Sequence, residues 1–99
     1  MNGCASKPEG KVALITGSSR GIGKATALHL AEDRVNIIIN YLSRHEEVGS
    51  TAQKIRKMGC KAFTFQADIR NFEETQKLVN FTVEKFGKID ILVNNAGIV

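Results

Sequence analysis

Four apolar runs punctuate the chain, and three stretches with helical spacing lie between them. Val12-Ala13-Leu14-Ile15 is continuous, without polar alternation, and stops at Thr16-Gly17. A second run, centred on Ile37-Ile38-Ile39, reaches from about Val35 to Tyr41. A third spans Lys61 to Ala67, and a fourth Ile89 to Asn94 with Ile91-Leu92-Val93 at its centre. Runs that stay apolar at successive positions predict strands covered on both faces, the pattern of a parallel sheet flanked by helices.

The intervening stretches predict helices. The first runs from Ile22 to about Asp33. The second follows a capping box, Ser43 with Glu46, and carries Val48, Ala52, Ile55 and Met58 on one face until Gly59 ends it. The third repeats the box with Asn71 and Glu74. It bears Phe72, Leu78, Val79, Val83 and Phe86, and Gly87 closes it. Right-handed crossovers turn this β-α-β-α-β-α-β succession into an α/β, doubly wound parallel sheet with strand order 3-2-1-4. Residues 1–10 read as a short polar tail, and residues 11–99 as one α/β domain expected to be truncated after the fourth strand.

Composition narrows the function classes. The 99 residues are 42% hydrophobic and 24% charged, ordinary for a folded soluble domain. The net charge of +4 suits an anionic ligand. The lysines are scattered, and with one Tyr and no Trp no nucleic-acid surface is expected. The first ten residues lack the apolar core of a signal peptide, and no run is long enough to span a membrane, so a cytoplasmic setting is expected. Cys4 and Cys60 have the spacing of neither a zinc site nor a CxxC pair, and reduced thiols are expected.

The turn after the first strand reads Thr16-Gly17-Ser18-Ser19-Arg20-Gly21-Ile22-Gly23. Gly17 permits a tight turn, Gly21 lets backbone approach a pyrophosphate, and Gly23 lets the helix pack close to the sheet. The helix N-terminus then offers N–H groups and a positive dipole end to phosphates. Strand before and helix after is the context that lifts this spacing above a plain Gly/Ser loop. The second strand ends Asn40-Tyr41-Leu42-Ser43-Arg44, with no acid to accept from ribose hydroxyls or repel a 2′-phosphate. Arg20 stands beside that pocket, and one charged hydrogen bond from a guanidinium is worth roughly 1.5–3 kcal/mol. NADP is therefore expected ahead of NAD. Arg44 either adds to this or is a solvated helix start. Asp68 and Ile69 end the third strand. Asp68 either accepts from an adenine amino group or belongs to the turn before the Asn71 cap, and Ile69 offers an apolar wall. Asn95, Ala96 and Gly97 suit either a ribose lying against backbone or a plain turn. Flavodoxin-like and receiver-like folds fit the Gly17-to-Gly23 turn poorly.

In order and spacing, the glycine turn, Asp68-Ile69 and Asp90-Ile91-Leu92-Val93-Asn94-Asn95-Ala96-Gly97 resemble the short-chain dehydrogenase/reductase family, from about Gly10 to the end. The wording is most similar to its 3-oxoacyl-[acyl-carrier-protein] reductase-like members. The resemblance implies a Rossmann-type fold and a hydride-transferring oxidoreductase acting on a carbonyl or alcohol, with a small-molecule or acyl-carrier substrate. It implies that Gly17, Ser18, Ser19, Arg20, Gly21, Ile22 and Gly23 hold the pyrophosphate, with Arg20 on the 2′-phosphate. Asn40, Tyr41 and Leu42 would flank the adenosine ribose, and Asp68 and Ile69 would line the adenine pocket. Asn95, Ala96 and Gly97 would lie along the ribose on the nicotinamide side. Family members assemble as homo-oligomers through helices that come later in the chain.

Two departures stand out. Where the family usually ends its first helix on Gly, this chain reads Glu32-Asp33-Arg34-Val35-Asn36, so a left-handed Arg34 would cost roughly 1 kcal/mol. The family's catalytic Ser and Tyr-x-x-x-Lys have no counterpart here: Tyr41 is the only Tyr and position 45 is His45. No catalytic residue is assigned, and His29 and His45 read as surface residues. A non-catalytic nucleotide-binding module and an inactive fragment are the alternative readings.

Overall fold

Apolar runs without alternation do become parallel strands. The computed structural model describes residues 10–17, 21–43 and 45–94, and of residues 21, 22 and 45 the backbone alone. Strands and helices alternate as β1 (Val12–Thr16), α1 (Gly21–Glu32), β2 (Asn36–Tyr41), α2 (His45–Lys57), β3 (Ala62–Gln66), α3 (Phe72–Phe86) and β4 (Ile91–Asn94). Every pairing is parallel, and the order β3-β2-β1-β4 is the predicted one.

Successive side chains along each strand feed two separate cores. Ala13, Ile15, Ile37 and Ile39 face Ala27, Ala31, Val48, Ala52 and Ile55, which lie on α1 and α2. Leu14 and Ile38 face Leu78 of α3, with Phe63, Phe65, Phe81 and Phe86 packed around them. Helices thus cover both faces of the two central strands, and Ile37, Ile38 and Ile39 are wholly buried. Each such side chain removed from water contributes about 1.5–3 kcal/mol.

Coverage is less complete at the edge. Along β4, Ile91 and Val93 are half-buried while Leu92 is 64% exposed, so among the described residues this strand is covered on one face only. α3 also departs from the expected face. Phe72 is 80% and Val83 46% exposed, and the buried line is Leu78 with Thr82. Thr82 is tolerated there because its hydroxyl donates to the Leu78 carbonyl one turn back, at 2.9 Å.

The helix ends follow from local backbone chemistry. Asn71 accepts the Glu74 N–H at 3.0 Å, as a cap should. The Glu74 carboxylate reaches instead to the Asp68 N–H, at 2.7 Å. α2 is described from His45 onwards, and Arg44, the first helical position expected after a Ser43 cap, lies outside the described residues. Gly87, at φ 81°, closes α3 with its N–H on the Val83 carbonyl. Arg34 takes the left-handed conformation, φ 67°, which a residue with a Cβ enters only at a steric cost. The expectation of reduced thiols fails at Cys60, which is disulfide-bonded. The chain's only other cysteine, Cys4, lies outside the described residues.

Candidate functional site

Parallel pairing brings the carboxyl ends of all strands to one edge of the sheet. β1 has β2 on one side and β4 on the other, so the chain's direction of winding reverses there. Such a switch point leaves a crevice outside the strand ends, the usual ligand position in open α/β sheets.

The turn that leaves β1 begins with Gly17 at φ 64°, a conformation that glycine adopts without the Cβ penalty. α1 then starts at Gly21, and Gly23 in its first turn is buried. That first turn contains no acidic residue. The other two helices do carry acids there, Glu46 and Glu47 in α2, Glu73 and Glu74 in α3. A carboxylate in the first turn complements the positive end of a helix dipole. α1 has none in its own first turn, which suits an incoming anion.

Side chains tie the strand ends together. The Thr16 hydroxyl donates to Asn94 Oδ1 at 3.0 Å and lies 3.4 Å from the Val93 carbonyl, joining β1 to β4. Asn40 faces inward and is 2% exposed. Its Nδ2 donates to the Phe65 and Ala67 carbonyls, and its Oδ1 accepts the Gly17 N–H. Beyond it, Tyr41 packs beside the α1–α2 core while Leu42 is exposed. The Leu42 carbonyl accepts from Gln66 Nε2 at 2.9 Å, and the Ala67 N–H donates to the Tyr41 carbonyl at 3.0 Å.

Asp68 follows β3 and is engaged by Arg70. Its Oδ1 accepts from the Arg70 N–H and Nε, and its Oδ2 from Nη2, all at 3.0 Å. These bonds from Arg70 hold the Asp68 carboxyl below the usual carboxylate range. Ile69 packs at the edge of the α3-side core, and its carbonyl accepts the Thr75 hydroxyl. At the opposite end of the sheet, Asp90 Oδ2 accepts the Val12 N–H at 2.8 Å. That bond first, and then Lys88 at 3.2 Å, keep its carboxyl low as well.

The residues expected to bind therefore divide. Gly17, Gly21, Gly23, Asn40, Tyr41, Leu42, Asp68 and Ile69 stand at or next to the carboxyl edge of the sheet or the start of α1. Ser18, Ser19, Arg20, Asn95, Ala96 and Gly97, and the side chain of Ile22, lie outside what is described. Arg70 went unread in the sequence, though it was legible as a cation two residues past Asp68. Asn40 was read as flanking the ribose, and its hydrogen-bond partners were not foreseen. His29 is exposed near Glu32, a surface residue as expected. Among the described residues, no three His, Cys, Asp or Glu side chains gather as metal ligands, and no helix is long and apolar enough to cross a membrane.

The description "short chain dehydrogenase" fits residues 11–99. A 3-oxoacyl-[acyl-carrier-protein] reductase FabG of Staphylococcus epidermidis is 40% identical over 88 residues, 89% of this chain and 36% of the relative. A 3-oxoacyl-[acyl-carrier-protein] reductase of Synechocystis sp. is 44% identical over the same shares. Among solved structures, an actinorhodin polyketide ketoreductase variant with NADPH superposes with a TM-score of 0.83 at 33% identity, covering 92% of this chain and 34% of that one. The chain thus spans about 36% of the length of the curated relatives it matches.

Proposed function

The chain belongs to the short-chain dehydrogenase family, and we propose that it is the NADP-binding portion of an oxidoreductase that moves hydride between NADP(H) and a carbonyl or alcohol. One observation carries this reading. The left-handed Gly17 turn leads from β1 to the acid-free first turn of α1, beside the junction of β1 and β4. A diphosphate is the ligand that such an arrangement suits best, because it pairs anionic oxygens with N–H groups and a positive dipole end.

The residues present fit the dinucleotide. Residues Gly17 to Gly23 would hold its diphosphate, Tyr41 and Leu42 would flank the adenosine ribose, and Asp68 and Ile69 would border the adenine. Arg20 would take the 2′-phosphate, and no acid from Asn40 to Arg44 opposes it. Asn95, Ala96 and Gly97 would run along the ribose nearer the nicotinamide. The bound cofactor supplies or accepts the hydride; this chain binds and orients it. The NADPH named in the ketoreductase structure supports the cofactor, and the names of the bacterial relatives support a 3-oxoacyl-carrier substrate for the whole protein. Cytoplasmic location and homo-oligomeric assembly accompany that reading.

Titration of the purified chain with NADPH and with NADH tests it. Saturable NADPH binding, about tenfold or more tighter than NADH, is expected from one guanidinium–phosphate contact. No saturable binding of either overturns the reading.

A further inference from the structure

Asn40 is a polar side chain in a strand interior otherwise filled by Ile37, Ile38 and Ile39, and it is 2% exposed. Burying an amide is costly unless its hydrogen bonds are met. Here both Nδ2 protons have backbone acceptors, the Phe65 carbonyl at 3.2 Å and the Ala67 carbonyl at 3.1 Å. The oxygen accepts the Gly17 N–H at 3.4 Å. A single amide therefore crosses β2 and joins the turn after β1 to the segment after β3.

Those two segments are the ones assigned above to opposite ends of the same half of the cofactor. Gly17 opens the diphosphate turn, and Ala67 precedes Asp68 and Ile69 beside the adenine. No backbone ladder bond links them directly, because β2 lies between β1 and β3. The two Nδ2 bonds fix the plane of the amide, and the fixed oxygen then sets where the Gly17 N–H points.

We propose that Asn40 is a positioning residue for the dinucleotide, setting the separation between the diphosphate turn and the adenine wall without touching the ligand. This rests on the cofactor reading of the previous subsection. It also reassigns Asn40 from flanking the ribose to bracing the pocket from beneath, which leaves Tyr41 and Leu42 at the ribose.

The test compares the chain with its Asn40→Val and Asn40→Asp variants, each at a temperature where circular dichroism shows it folded. Two probes are titrated: NADPH, which spans both segments, and adenosine, which carries neither the diphosphate nor the 2′-phosphate that the glycine turn would hold. Exchange of the Gly17 amide is followed by NMR. Asn40→Val is expected to weaken NADPH about tenfold while adenosine changes less than about twofold, with faster exchange at Gly17. Asn40→Asp keeps the oxygen but not the donors. It should retain Gly17 protection, shift the Gln66 and Asp68 amides and bind NADPH at an intermediate strength. Equal loss for both probes would mean a merely structural role and overturns the proposal, as does unchanged NADPH binding. If Asn40→Val does not fold, Asp in its place carries the same comparison. Failure of the unsubstituted chain to bind NADPH defeats the cofactor reading first, and this one with it.

Discussion

Arg34 and Gly59 occupy the same position in two copies of one helix-ending motif. After α1, the Arg34 N–H donates to the Ala31 carbonyl and the Val35 N–H to the Leu30 carbonyl. After α2, the Gly59 N–H donates to Arg56 and the Cys60 N–H to Ile55. Both are Schellman motifs, and both central residues are left-handed, at φ 67° and 94°. Only the glycine adopts this without steric cost.

The substitution Arg34→Gly should therefore stabilise the chain by about 1 kcal/mol. For a domain of this size that raises the melting temperature by roughly 4–8 °C. Gly59→Ala should cost about as much. Urea unfolding of the two variants measures both, and an unchanged midpoint for Arg34→Gly would contradict the account.

Asn71 caps α3 through its side-chain oxygen. Asn71→Ala should cost about 1 kcal/mol, and Asn71→Asp little or nothing, because an aspartate restores the acceptor and favours the positive dipole end. Thermal melts of the pair distinguish a lost cap from a general effect of substitution.

Acid should loosen the junction of β1 and β4. The Val12 N–H and Lys88 stabilise the charged form of Asp90, so its folded pKa lies below its unfolded one. The stability it confers is complete above the usual carboxylate range and is lost as pH falls through the lowered value. Asp90→Asn should flatten the acid limb of a plot of urea midpoint against pH, taken from about pH 7 to about pH 2. An identical limb in both proteins would rule out this source.

Asp68 obeys the same sign through its bonds from Arg70. Arg70→Ala should raise the Asp68 titration midpoint towards the ordinary carboxylate range, read from its side-chain NMR resonance. Added salt should narrow the difference, because this pair lies at the surface.

Burial separates two apolar residues of α3 that look alike in sequence. Leu78 is 1% exposed, and Leu78→Ala should cost about 2–5 kcal/mol. Phe72→Ser should stay within about 0.5 kcal/mol, since Phe72 is 80% exposed. Denaturant midpoints for both, at matched slopes, check the assignment.

The order of elements, the parallel sheet and its strand order were legible in the residues because they follow from local rules. Apolar runs of strand length, helical spacing, and glycines at Gly17, Gly59 and Gly87 act within a few residues of themselves, and crossover handedness does the rest. The left-handed strain at Arg34 was expected from the family resemblance, which usually puts a Gly where this chain has Arg34. Which apolar residues are covered was decided only in three dimensions. Phe72, Val83 and Leu92 fit their helix or strand pattern, yet exposure depends on what another element lays against them. The bonds of Asn40 to Gly17, Phe65 and Ala67 were equally out of reach, since their geometry exists only once three strands lie side by side. Hydrogen bonding between distant segments is set by position in space, and position in space is what packing of the sheet provides.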